Sequence, residues 1–266
     1  MKRKKKFKLV VQLGLLAAAL YFIPRITLFY LACGLYDVTR NRNVNIGIVR
    51  QYFFGNGLFT WMLSPFNVLL DLLSLPNINK GIYQLEDVPV GCRNEIKSVI
   101  ETAYQENLIG QLEERTQSQP RTMIFFKWYG YNVDTSISVP AYRQKFKYVK
   151  TIGVSVFRKR ESTGRHFGPL RATLRVLYNI NDMSDDSAFI RVGPHDHHWR
   201  RNKLFIFDDT LLHQSFNNSD ETRYCLFVDI IRPTFFNHLL SLIVTGIRLC
   251  MASVNFVFYR DWAVIK

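Results

Sequence analysis

The rhythm of apolar and polar positions changes three times along the chain. Residues 9–23 and 26–36 are two almost wholly apolar runs, parted by Pro24 and Arg25. Each falls short of the roughly 20 apolar residues that a membrane span needs, but together they reach that length. No small-residue cleavage site follows, so the pattern predicts a retained hydrophobic anchor, with a buried first helix as the alternative. Residues 58–76 are again apolar but contain Asn67 and Asp71, which suits a helix lying at a membrane interface. Residues 93–115 place Ile96, Val99, Ile100, Ala103 and Tyr104 at helical spacing against charged neighbours and predict one amphipathic helix.

Beyond residue 120 the period shortens. Segments 122–131, 151–159, 171–180, 188–192, 203–209 and 223–231 are short, rich in β-branched and aromatic residues, and separated by polar turns. Several such strands at this spacing predict a mainly β domain, closed or double-layered, of the jelly-roll kind. The alternation assigns faces. Arg171, Thr173, Arg175 and Leu177 share one face of their strand, and Arg223, Cys225, Phe227 and Asp229 share one face of theirs. An arginine directed into a β-barrel interior needs an anion beside it. Residues 235–262 return to an apolar pattern. The expected organisation is a basic tail and anchor (1–45), a membrane-proximal helical region (46–119), the β domain (120–233) and a hydrophobic extension (234–266).

Charge sharpens this picture. The 266 residues include 35 Lys and Arg against 21 Asp and Glu, a net charge of +14, and six of the first eight residues are basic. Such a surface prefers anionic partners. A basic cluster abutting an apolar run suits the anionic cytoplasmic face of a membrane, and no nucleic-acid-binding motif is present. Four scattered cysteines exclude a disulfide framework and suit a reducing compartment.

Six histidines are candidates for chemistry. His166 precedes one strand and His213 follows another, so both lie at strand ends where two imidazoles can meet at a metal. Non-haem Fe(II) oxygenases commonly add a carboxylate to two such histidines. The usual place for it, two residues after the first histidine, is Gly168 here; Asp208 and Asp209 are left as ligands or supporting bases. The cluster His195, Asp196, His197, His198 reads as a solvated hairpin loop.

Residues 165–180 and 199–233, with the spacing between them, resemble the aspartyl/asparaginyl β-hydroxylase family. The shared features are a His followed by Gly-Pro, an Arg nine residues on, a Trp before an Ile-Phe-Asp-Asp strand, a His four residues after its last Asp, an Arg ten residues further, and a final Arg-Pro. The resemblance covers about residues 120–233. It implies a double-stranded β-helix that uses Fe(II), 2-oxoglutarate and O2. It also implies iron ligands at His166 and His213 and co-substrate contacts at Ser155, Arg175 and Arg223. Asp209 is the candidate catalytic residue, placed to orient a metal-bound water. The family does without the proximal carboxylate, which accounts for Gly168. One departure is Leu177, where the family usually has a co-substrate-binding His. Residues 64–79 and 126–130 and the hydrophobic C-terminal region look like those of the bacterial lipid A acyl-chain hydroxylases. That likeness implies 2-hydroxylation of an acyl chain of lipid A or a related membrane lipid. It also implies a place at the bacterial inner membrane, with the catalytic domain facing the cytoplasm. The alternatives are β-hydroxylation of Asp or Asn in a protein, halogenation at the iron position that Gly168 leaves open, or a non-catalytic membrane-anchored barrel.

Overall fold

The computed structural model describes residues 2–56, 58–116, 119–251 and 263–265. Twelve described strands form two sheets. They are β1 (Ile82–Tyr83), β2 (Arg121–Trp128), β3 (Tyr131–Asn132), β4 (Val149–Phe157), β5 (Glu161–Ser162), β6 (Thr173–Asn179), β7 (Ala188–Val192), β8 (His195–His198), β9 (Leu204–Phe207), β10 (His213–Asn217), β11 (Arg223–Ile231) and β12 (Ala263–Ile265). The larger sheet runs β1-β9-β6-β11-β4-β2-β12, with β3 beside β2; the smaller runs β5-β10-β7-β8. Pairing is antiparallel except between β12 and β2. From β4 to β11 the chain passes repeatedly from one sheet to the other, which is the weave of a jelly roll.

The two faces of the larger sheet explain its sequence. One face sends Met123, Phe125, Leu177, Phe205, Cys225 and Phe227 towards Ala188, Ile190 and Val192 of the smaller sheet. The other sends Ile124, Val154, Val156, Val176 and Leu226 under two helices, α6 (Val90–Gln105) and α7 (Leu108–Thr116), through Ile96, Val99, Leu108 and Leu112. Strands β4 and β11, at the centre, are buried at every position, with Ile152, Val154, Leu226 and Ile230 among the apolar side chains on the helix-covered face. Each such side chain contributes roughly 1.5–3 kcal/mol of burial free energy. The single helix expected over 93–115 is two. Asn107 adopts a left-handed backbone (φ 44°) and ends the first, a conformation that asparagine tolerates better than most residues. Tyr104, expected in the buried stripe, is half exposed and bonds through its hydroxyl to Tyr178 and the Ile180 carbonyl.

The first part of the chain is helical: α1 (Lys2–Phe22), α2 (Pro24–Thr39), α3 (Ile46–Arg50), α4 (Leu58–Met62) and α5 (Ser64–Leu73). Pro24 lies in the first turn of α2, where its missing N–H is tolerated. Among the described residues no helix is long and apolar enough to cross a membrane, so the expected anchor finds no spanning helix. Leu15, Phe22, Phe29, Leu72 and Ile78 are nonetheless exposed. The apolar segment expected over 235–262 includes α8 (Asn237–Met251), which buries Leu240 and Val244 beside Leu70 of α5 and leaves Leu242 exposed. Residues 252–262 of that segment lie outside the described residues.

An ionic cluster seats the helical region on the barrel. Fully buried Arg171 pairs with Asp37 of α2 and Asp71 of α5, both at 2.5 Å; Arg232 pairs with Asp71, and Arg40 with Asp208 at 2.6 Å. Three guanidinium groups thus balance three carboxylates, so none is buried alone.

Candidate active site

His166 and His213 meet across the open end of the barrel. They form an isolated antiparallel bridge, with His166 N–H donating to His213 O at 3.0 Å and the reverse bond at 2.9 Å. The rings lie 4.2 Å apart. His166 Nδ1 bonds to Gly164 O and His213 Nδ1 to Leu211 O, each at 2.8 Å. Each Nδ1 must then carry the proton, so each Nε2 presents a lone pair. Among the described residues neither Nε2 has a hydrogen-bond partner. Backbone carbonyls that fix the tautomer in this way are the usual support of a metal-binding imidazole. His213 is buried; His166 stands at the rim, exposed by surface area but crowded by its neighbours. Burial lowers the pKa of both, helped at His213 by His166 and at both by Arg175, so both rings are neutral as ligation requires. The donor set fits a metal with two protein ligands. Among the described residues no group of three or more His, Cys, Asp or Glu side chains is placed to hold one.

Asp209 packs against Gly168, two residues after His166. A Cβ added at Gly168 would fall 2.5–2.7 Å from the Asp209 carboxyl atoms, so that carboxyl fills the space a side chain at 168 would need. The Gly168 N–H also donates to Asp209 O at 2.7 Å. Burial raises Asp209 to about 7; Arg175 opposes the rise, and Asp229 and Asp208 add to it. Its neighbour Asp208 goes the other way. Burial alone would raise it, but Arg40, Arg171 and a hydrogen bond from Thr210 outweigh that and hold it at about 2.

The two inward arginines differ. Arg175 ion-pairs with Asp229 at 2.6 Å and with Asp209 at 2.8 Å, and lies 3.7 Å from the centre of the Phe227 ring. Arg175, expected to contact a co-substrate carboxylate, thus already carries two protein carboxylates. Arg223 is 1% exposed and donates from Nη2 to Ser215 Oγ at 3.0 Å. Among the described residues its Nε and Nη1 have no partner, nor does the indole N–H of Trp199, whose ring lies 5.2 Å away. Burial disfavours the Arg223 charge, and no acidic side chain pairs with it among the described residues. Ser155 is buried on the strand beside it, opposite Cys225, and donates to the Cys225 carbonyl at 3.3 Å. Ser215 shares the inward face of β10 with His213, two residues away, about 7 Å along the strand. A short dicarboxylate can therefore reach from the histidines to Arg223, and the orphaned donors suit its distal end. Leu177 lies in the apolar cluster between the sheets.

The cluster at 195–198 is not a loop. It is β8, paired with β7 across a two-residue turn in which Gly193 takes a positive φ of 55°. His195 and His197 stack on Phe205 at 5.8 and 4.4 Å, and burial lowers His197 to about 4. Asp196 pairs instead with Arg191. The parts played by Ser215, Asp229 and the indole N–H of Trp199 escaped the sequence reading. Ser215 was within reach of it, by the period of two from His213.

A family model described as aspartyl/asparaginyl beta-hydroxylase matches residues 92–233, just over half of the chain. An ornithine lipid ester-linked acyl 2-hydroxylase of Rhizobium tropici is 36% identical over 91 residues, 34% of this chain and 32% of that protein. The match thus spans about a third of that relative's length. Solved structures superimpose loosely. Protein TT1209 of Thermus thermophilus is 12% identical with a TM-score of 0.28, over 42% of this chain and 86% of that one. A cupin-2 domain of Rhodospirillum rubrum is 10% identical with a TM-score of 0.25, over 31% and 51%.

Proposed function

Because the chain belongs to the aspartyl/asparaginyl β-hydroxylase family, we propose that it is an Fe(II)- and 2-oxoglutarate-dependent hydroxylase of a membrane lipid acyl chain. The observation that carries the proposal is Arg223: a buried guanidinium with two nitrogens unpartnered among the described residues, bonded to Ser215, which lies one strand repeat from His213. His166 and His213 would hold the metal through Nε2. Arg223 would grip the distal carboxylate of 2-oxoglutarate, with Ser155 and Trp199 beside it. When bound, iron, 2-oxoglutarate and O2 supply hydrogen abstraction and hydroxyl return, with one oxygen atom entering the substrate and the other entering succinate as CO2 leaves. Arg175 holds Asp209 beside the histidines, where it can orient a water or a substrate group. The apolar walls of Phe125, Phe205 and Phe227 exclude bulk water.

Two observations support a lipid substrate. The Rhizobium relative is named for an acyl 2-hydroxylation, and exposed apolar side chains on α1, α2, α5 and α8 offer a surface for a bilayer. The basic N-terminus would favour anionic headgroups, at about 1 kcal/mol per basic residue near the surface. The reading places the protein at the bacterial inner membrane, its barrel on the cytoplasmic side, acting on lipid A or a related lipid. The test is anaerobic addition of Fe(II) and 2-oxoglutarate to detergent-solubilised protein, followed by the visible charge-transfer band. The band should appear in wild type and vanish in His213→Ala; lipid extracts should then gain one oxygen per acyl chain. Absence of the band at millimolar co-substrate would leave a non-catalytic barrel.

A further inference from the structure

The family match starts at residue 92, yet both histidine-bearing loops are held by side chains from residues 40–67. Asn56 closes two hydrogen bonds on Phe167, the residue after His166: its Oδ1 accepts from Phe167 N–H and its Nδ2 donates to Phe167 O, each at 2.8 Å. Gln51 Nε2 donates to Arg165 O on the other side of the histidine at 2.9 Å. Asn67 of α5 repeats the arrangement further along, donating to Pro169 O at 3.0 Å and accepting from Arg171 N–H at 2.9 Å. On the second loop, buried Asn41 accepts from the N–H of Leu212, the residue before His213, at 2.8 Å, while Arg40 donates to Asp208 and to Thr210. The apolar contacts agree. Phe167 and Leu212, each next to a histidine, are buried in one cluster with Val38, Ile48 and Tyr52.

Residues 165–171 lie outside any strand, and a loop's backbone groups need partners when water is excluded. A primary amide carries the same donor and acceptor as a peptide unit, so Asn56 and Asn67 stand where a neighbouring strand would. We infer that residues 40–67 form a positioning clamp on the two-histidine site, with Asn41, Gln51, Asn56 and Asn67 fixing the direction of both imidazoles. This rests on the metal reading above. The clamp runs from the end of α2 into α5, two helices that also carry exposed apolar side chains such as Phe29 and Leu72.

The experiment is a cobalt(II) titration of the full chain in detergent, metal-free at the start, followed by the visible d–d absorption. Wild type, His213→Ala, Asn56→Ala and Gln51→Ala are compared, with a thermal melt of each metal-free protein. Removal of such supporting partners weakens metal affinity by about 10–100-fold, so Asn56→Ala should bind at least tenfold more weakly, with a shifted band. Gln51→Ala, on the surface, should lose several-fold with an unchanged melt, and it carries the test if Asn56→Ala does not fold. Wild-type affinity and band shape in both variants would overturn the clamp while leaving the two-histidine site standing. If wild type binds no cobalt, or His213→Ala binds equally well, the metal reading fails and the clamp fails with it.

Discussion

Arg175 and Arg223 project into the same barrel from adjacent strands, and their surroundings are opposite. Arg175 has two carboxylates, at 2.6 and 2.8 Å, and an aromatic face beneath it. Arg223 has a serine hydroxyl, two rings and two nitrogens with nothing to bond. The first guanidinium belongs to the scaffold: it keeps two buried carboxylates from being unpaired. The second is a buried guanidinium with no acidic partner among the described residues, the kind of group an anion from outside would pair with. Position on a strand face thus marks an arginine as inward, but its partners decide whether it builds the site or receives the ligand.

The largest expected effect separates the two. Arg175→Met strands Asp209 and Asp229 and should destabilise the metal-free protein by about 3–5 kcal/mol, read from denaturant unfolding. Arg223→Met should leave that stability unchanged or higher, because it removes a charge with no partner. It should instead weaken 2-oxoglutarate binding on the order of a hundredfold, about 3 kcal/mol, read by titration. Equal destabilisation by both substitutions would erase the distinction.

A smaller effect lies in pH. Asp208, held at about 2, contributes stability that is present above the unfolded carboxylate range near 3.9 and is lost as pH falls towards 2. Asp209, raised to about 7, binds its proton more tightly when folded, so its contribution is largest below about 4 and declines as pH rises through 7. His166, His197 and His213, all lowered by burial, add stability as pH rises over the same range, so the decline is read as the difference in unfolding free energy between the metal-free wild type and Asp209→Asn, which should shrink from pH 4 to 8. The smallest expected effect is Ser215→Ala, which takes the last hydrogen bond from Arg223 and should change co-substrate affinity by about 1 kcal/mol.

Much of this site was legible from period alone. Alternation put Arg175 with Leu177, and Arg223 with Phe227, on shared strand faces, and Leu177 and Phe227 are buried between the sheets. His166 and His213, at strand ends, do meet. What stayed hidden depends on register between strands. Arg175 faces Asp229 because β6 and β11 pair at those residues, a fact absent from either strand alone. The polar composition of residues 195–198 suggested a loop, because the partner that makes them a strand is β7 and the ring on which His195 and His197 stack, Phe205, belongs to β9. Asn107 ends a helix through a backbone angle that periodicity does not encode. The bond from Arg40 to Asp208 joins residues 168 positions apart, which no local pattern reports.

Gly168 also limits how such a site can change over time. Its missing side chain and the Asp209 carboxyl occupy one space, with 2.5 Å between them if a Cβ is added. A lineage that acquired a carboxylate at 168 would first have to displace the one at 209, and one that lost Asp209 alone would leave Arg175 with only Asp229. In this chain a side chain at 168 and the carboxyl at 209 therefore exclude each other, so moving the carboxylate from one position to the other takes a paired substitution, and each single step is disfavoured.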